Sequence, residues 1–263
     1  MQHFRELNYQ GKILRGMIHN PDSGTAPYPA VIIFHGFTGN KVDSHRIHVH
    51  ISRFLEKSGI VSIRYDFLGS GESDGEFDEM TLNSEIAQAH AIYQQVCKDP
   101  LCDISRITII GHSMGGIVAS SLAGDIAAEK SLPTPAGLIL IAPAGNMIDA
   151  MNSMYEEQSD WVKPDGSMDL NGFMVSPLFR KDIIEQLEPN RFSKRLSAFT
   201  NPVLVVHGTA DEAVPVDVGK AFSHYYGNAM QWRPIPDADH CFTRCFYERQ
   251  LLNAIGTFMQ TKI

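Results

Sequence analysis

The chain has 263 residues, 43% of them apolar and 20% charged, with 22 Lys+Arg against 30 Asp+Glu and a formal net charge of -8. That length suits one large domain, or one domain carrying an insertion, and the composition excludes a substantially disordered chain. An acidic balance with no basic block excludes a phosphate-binding face for nucleic acid and electrostatic docking on anionic membrane.

The opening residues, Met1 to Glu6, lack the apolar run of a secretion signal. No apolar stretch is long enough to span a bilayer, so a cytoplasmic protein is expected. Phe4–Tyr9 and Lys12–His19 flank Gln10-Gly11 and read as an N-terminal hairpin. After the turn-rich stretch from Pro21 to Pro29 comes Ala30–His35, a continuous apolar run stopped by Gly36, as expected of a strand buried on both faces. The pattern returns at Ile60–Tyr65, Ile107–Ile110, Leu138–Ile141 and Val203–Val206, and Met230–Ile235 reads as a last strand. Helical patterns lie between: His48–Lys57, a helix N-capped by Thr81 with Glu85 in its first turns, Met114–Ala128, Val218–Tyr226 and Glu248–Gln260. Strands alternating with helices predict an open α/β fold with a parallel sheet covered on both faces.

One connection breaks the rhythm. About sixty residues separate Ala142 from Val203, where a simple crossover needs only a dozen or more. The segment is polar yet carries Met147, Met151, Met154, Trp161, Met168, Phe173, Met174 and Phe179. Methionines and aromatics at the C-terminal edge of a sheet suggest an adaptable apolar lid.

Gly111-His112-Ser113-Met114-Gly115 places G-x-S-x-G directly after a buried strand and directly before a helix, the context of a nucleophile elbow. A serine hydroxyl needs a base, and the base needs an orienting acid. In chain order after the serine, Asp211 follows the strand ending His207-Gly208, and His240 follows the last strand. Ser113, Asp211 and His240 are the candidate nucleophile, acid and base. Glu212 and Asp217 have poorer register, and Asp239 is adjacent to His240, where neighbouring side chains usually diverge. The backbone N–H groups of Phe37 and Met114 are the candidate oxyanion donors. His35, His112 and His207, at strand ends, read as structural. His45, His48 and His50 form H-x2-H-x-H without a carboxylate motif, so no metal is expected from them. Cys97, Cys102, Cys241 and Cys245 are too few and too irregularly spaced for a disulfide framework or a metal site, and read as reduced thiols. Gly69-Ser70-Gly71 follows a strand, but no helix starts there, so no dinucleotide and no other cofactor is expected.

These motifs, His35-Gly36-Phe37-Thr38-Gly39, Asp66-x-x-Gly69-x-Gly71-x-Ser73-Asp74-Gly75, Gly111-His112-Ser113-x-Gly115-Gly116, His207-Gly208-x-x-Asp211 and Ala238-Asp239-His240-Cys241-Phe242, resemble the α/β-hydrolase superfamily over nearly the whole chain. Their wording is similar to that of the bacterial cinnamoyl (feruloyl) esterases. The resemblance implies a mostly parallel eight-stranded sheet with helices on both faces and a cap inserted after strand six. Residues 1–143 and 192–263 would form the core and 144–191 the cap. It implies the same triad, Ser113, Asp211 and His240, and a cap that binds the aromatic acyl group. Asp149, Gln158, Trp161 and Met174 are the candidate substrate contacts, Met174 standing where a tyrosine would be expected.

The expected activity is hydrolysis of small carboxylic esters of the hydroxycinnamoyl type through an acyl-enzyme on Ser113. The expected partner is a small-molecule ester, with a homodimer as the allowed assembly. Three alternatives remain open: a monoacylglycerol lipase or broad acyl esterase, an aminopeptidase-like hydrolase, and a noncatalytic binding protein on the same scaffold.

Overall fold

The computed structural model describes residues 1–262. Its main sheet has eight strands in the order β1-β2-β4-β3-β5-β6-β9-β10. These are β1 (Gln2–Tyr9), β2 (Lys12–His19), β3 (Tyr28–Phe34), β4 (Val61–Tyr65), β5 (Cys102–His112), β6 (Gly137–Ile141), β9 (Val203–Gly208) and β10 (Met230–Ile235). β1 and β2 form the hairpin and β2 pairs antiparallel with β4; every later pairing is parallel. The apolar runs are explained by two-sided burial. Along β3, Ala30, Ile32 and Phe34 face one core and Val31 and Ile33 the other. β6 and β9 alternate in the same way, with Leu138, Leu140, Val203 and Val205 on one face and Ile139, Ile141, Leu204 and Val206 on the other.

Helices α1 (Ile47–Lys57) and α9 (Cys245–Lys262) cover the second face through Ile47, Ile51, Leu55, Leu251, Ile255 and Phe258. Helices α2 (Leu82–Val96) and α3 (Met114–Glu129) cover the first. Thr81 caps α2 by a reciprocal exchange with Ser84, while Glu85 is fully buried and its carboxyl is pushed well above the usual range by desolvation. The expected helix over Val218–Tyr226 is divided into α7 (Val216–Ala221) and α8 (Ser223–Tyr226) around Phe222. All four cysteines are free. No helix among the described residues is long and apolar enough to cross a membrane.

The long connection after β6 holds α4 (Met147–Glu157), a two-stranded antiparallel sheet of β7 (Met168–Leu170) and β8 (Phe173–Val175), α5 (Pro177–Gln186) and α6 (Pro189–Leu196). Position 191 falls inside α6, so the chain returns to the core through a helix. The insertion does not pack only on itself. Met147, Met151, Met168, Val175, Phe179 and Ile183 join the same apolar core as Phe34, Ile109 and Leu140. Asp182 of α5 accepts a 2.8 Å bond from Asn83 N at the start of α2, and Arg195 of α6 pairs with Asp125 of α3 at 2.9 Å.

Candidate active site

β5 ends at His112, and Ser113 turns the chain into α3 with φ 56° and ψ -123°, a region that costs a non-glycine residue energy. The turn persists because its surroundings fix it. Ser113 N donates to Ile141 O at 2.9 Å, and Gly116 N and Ala144 N donate to Ser113 O at 2.9 and 3.2 Å. Gly36 must be glycine here: a Cβ on it would stand 2.8 Å from Ser113 Cβ and 3.3 Å from Ser113 Oγ. The close approach of the β3 loop to the serine therefore depends on a missing side chain.

Ser113 and His240 line one pocket of about 460 Å³, together with Gly36, Phe37, Thr38, Asp43 and His112. No direct hydrogen bond joins the Ser113 hydroxyl to His240 among the described residues; such contacts often tighten only around substrate. His240 Nδ1 donates to Asp211 Oδ2 at 2.7 Å. The other carboxylate oxygen, Oδ1, accepts from Ala213 N at 3.0 Å and Val214 N at 2.8 Å, so the carboxylate cannot rotate freely. Burial works against the Asp211 charge, but hydrogen bonds from His207 and His240 and from the backbone outweigh it and hold the carboxyl well below the usual range. A fixed anion behind an imidazole whose ring opens on the serine's pocket can hold the imidazole tautomer that accepts a hydroxyl proton.

Met114 is the first residue of α3, so its N–H has no intrahelical acceptor. Phe37 lies in the pocket wall on the loop after β3, and Thr38 Oγ1 donates to Phe37 O at 2.7 Å, fixing that peptide. The Phe37 ring stacks on Phe179 of the cap, with centroids 5.1 Å apart and planes 1° from parallel. Phe37 also touches Phe77 at 5.6 Å, and Phe77 touches Phe173 of β8 at 4.8 Å. One aromatic chain thus ties both cap elements to the loop beside Ser113. Removing the fully buried Phe179 ring by Phe179→Ala is expected to cost about 3–5 kcal/mol, read as a lower thermal midpoint and faster amide exchange in α5.

The four cap residues expected to contact substrate are not brought to this pocket. Asp149 is exposed on α4, Trp161 is 61% exposed, and Gln158 and Met174 are half-buried away from the pocket wall. The cap turns its apolar side, Met147, Met151 and Phe179, onto the core and leaves these positions outside. The Asp66 loop is internally saturated: Asp66 accepts from Lys41 N, Lys41 Nζ and Glu72 N, and Ser73 Oγ donates back to Asp66 O. Its glycine-rich wording builds this loop.

Sequence reasoning missed three partners. His207 Nε2 lies 2.9 Å from Val214 O and 3.1 Å from Asp211 Oδ2, so this histidine helps hold the acid. The string of His45, His48 and His50 is split, and carboxylates do accompany it. His45 and His50 face Glu248 of α9, at 3.5 and 3.0 Å, and this half-exposed group is one of two among the described residues whose donor atoms lie close enough together for a metal ion, the other being Asp43, His48 and His112. His48 instead faces Asp43, which also meets His112. Only the strand-end position of His207, four residues before Asp211, offered a local signal.

A family model, Hydrolase_4 (serine aminopeptidase, S33), matches residues 25–167. Protein ABHD12B of Homo sapiens is 25% identical over 207 residues, 77% of this chain and 51% of that protein. Esterase EstD of Thermotoga maritima is 24% identical over 234 residues, covering 80% of this chain and 53% of its own length. The chain thus spans about half the length of these two curated relatives. The structure of Est1E from Butyrivibrio proteoclasticus with ferulic acid bound superposes with a TM-score of 0.79 at 26% identity, covering 98% of each chain. The expected fold is borne out: the chain belongs to the Hydrolase_4 family and has the α/β-hydrolase fold.

Proposed function

We propose that the chain hydrolyses small carboxylic esters with an aromatic acyl group, of the hydroxycinnamoyl type, through an acyl-enzyme on Ser113. His240 takes the hydroxyl proton as Ser113 Oγ attacks the ester carbonyl, and Asp211 stabilises the imidazolium that forms. The N–H groups of Phe37 and Met114 receive the developing oxyanion. His240 returns the proton to the leaving alcohol, then activates water to release the acid. The observation that carries the reading is the 2.7 Å Asp211–His240 bond behind a pocket shared with a strained Ser113 at the start of α3.

The aromatic preference is supported by Phe37 in the pocket wall and by the likeness to a protein solved with ferulic acid. The family's description favours one other reading, an aminopeptidase-like hydrolase. That chemistry needs an unpaired carboxylate to meet a substrate ammonium. Glu156, Glu157 and Asp160 are exposed, and the pocket's own acid, Asp43, is paired with His112.

Comparing kcat/KM for methyl ferulate, p-nitrophenyl esters from acetate to palmitate, a monoacylglycerol and alanine p-nitroanilide tests these readings. Methyl ferulate is expected to exceed the long-chain esters and the anilide by at least about tenfold. Dominant turnover of the long-chain esters or of the anilide would replace the aromatic reading by the lipase or aminopeptidase one.

A further inference from the structure

His112, which belongs to the G-x-S-x-G sequence but not to the proposed triad, is buried beside His240, and both its ring nitrogens face acceptors. Nε2 lies 3.1 Å from the backbone O of His240, and a carbonyl oxygen can only accept. Nδ1 lies 3.3 Å from Asp43 Oδ2. A neutral imidazole has one N–H and could satisfy only one of the two. The His112 and His240 rings also stack, with centroids 5.2 Å apart and planes 29° from parallel.

We propose that His112 is a standing imidazolium, neutralised by Asp43, that acts as a positioning residue: it anchors the main chain of His240 and lays a positive ring against the base. Its part in turnover rests on the reading of His240 as the base.

Every charged or titratable neighbour fits that state. Asp43, from the loop before α1, has its carboxyl held well below the usual range: burial opposes its charge, but the bond and attraction from His112, the neighbouring His48 ring and the bond from Ser44 N together outweigh it. His48 of α1 stands 3.4 Å from Asp43 and edge-on to His112 at 5.7 Å, but burial pushes it down to about 3, so it is neutral. Burial likewise opposes charge on His112, and the bond and attraction from Asp43 with the His240 carbonyl overcome it, raising the ring above its ordinary value. Asp211, after β9, adds attraction from the other side. Burial and these carboxylates push the Cys241 thiol up, so it supplies no compensating anion. Asp43 itself has φ 60° and ψ 178°, a sparsely populated conformation outside the αL region that the loop retains while its carboxylate meets His112.

The imidazolium has a structural consequence. The carbonyl of His240 is fixed to the residue preceding the nucleophile, so the base and Ser113 share one frame.

The test has two independent parts. In protein carrying ¹⁵N-histidine, the His112 ring, assigned from its absence in His112→Gln, is expected to show N–H protons on both nitrogens at pH 8. In Asp43→Asn one of them is expected to be lost. A singly protonated His112 in the unmodified protein at pH 8 would overturn the proposal, and this reading needs no catalysis and no variant beyond the assignment. In kinetics on p-nitrophenyl acetate, His112→Gln keeps a donor for the carbonyl but no charge. It is expected to lower kcat about tenfold with KM changed less than twofold. An unchanged kcat in a folded His112→Gln would overturn the positioning role. Absence of ester turnover by the unmodified protein would instead strike at the base assignment, and the spectrum would still decide the charge of His112.

Discussion

Ser113→Ala is expected to lower kcat/KM for p-nitrophenyl acetate by at least about 10⁴-fold. The pocket offers no equivalent hydroxyl. No other hydroxyl is held at a strand-to-helix turn in the pocket that His240 lines, and the nearby Thr38 hydroxyl donates to its own neighbour's carbonyl. The substitution removes one oxygen and no backbone bond, because the bonds that fix the turn come from Ser113 N and O. The thermal midpoint should therefore stay within a few degrees of the parent, or rise, since alanine keeps the same Cβ. A fluorophosphonate probe should label the parent at Ser113 and leave the variant unlabelled. Retained turnover in the variant would sink the acyl-enzyme reading, and an unlabelled but folded parent would favour a noncatalytic binding protein.

The parts of this site that were legible in the sequence are those made by short-range physics. Buried parallel strands leave continuous apolar runs, and β3, β5, β6 and β9 each did so, with both faces covered as the runs required. The elbow was legible because a strained turn between a strand and a helix demands glycine at fixed offsets, and Asp211 and His240 because the loops after β9 and β10 end at the same sheet edge. What was not legible depends on residues distant in sequence. Nothing near His112 announces Asp43, 69 residues earlier, or the carbonyl of His240, 128 residues later. The orientation of the cap was not legible for a related reason: Met147 and Met151 point to the core and Asp149 to solvent, a helical face that composition alone does not orient. One cap feature could have been found. Asn171-Gly172, with φ 51° and 89°, is a two-residue hairpin signal between β7 and β8. Three-residue strands are too short to show alternation, and the dipeptide was the only trace.

Asp211→Asn is the second large effect, and its direction follows from where each carboxylate oxygen sits. Oδ1 accepts from Ala213 N and Val214 N, so in the amide variant the oxygen must keep that place. The NH₂ group then occupies the position of Oδ2, facing His240 Nδ1 and His207 Nε2. A donor opposite Nδ1 favours the imidazole tautomer with its proton on Nε2, the nitrogen that must be free to accept from Ser113. The rate should fall by about 10⁴-fold in kcat, with KM little changed, while substrate still enters the pocket. His207 adds a second penalty, since its Nε2–H, shared with Val214 O, also meets the new donor. The acid side of the stability curve gives an independent check. A carboxyl held below its unfolded value contributes stability that is complete above pH of about 4 and is lost as pH falls through the lower folded value. Asp211→Asn should therefore flatten the loss of thermal stability between neutral and acidic pH relative to the parent. A variant that keeps the parent's rate, or its full acid dependence, would show that Asp211 neither orients His240 nor carries the buried charge assigned to it.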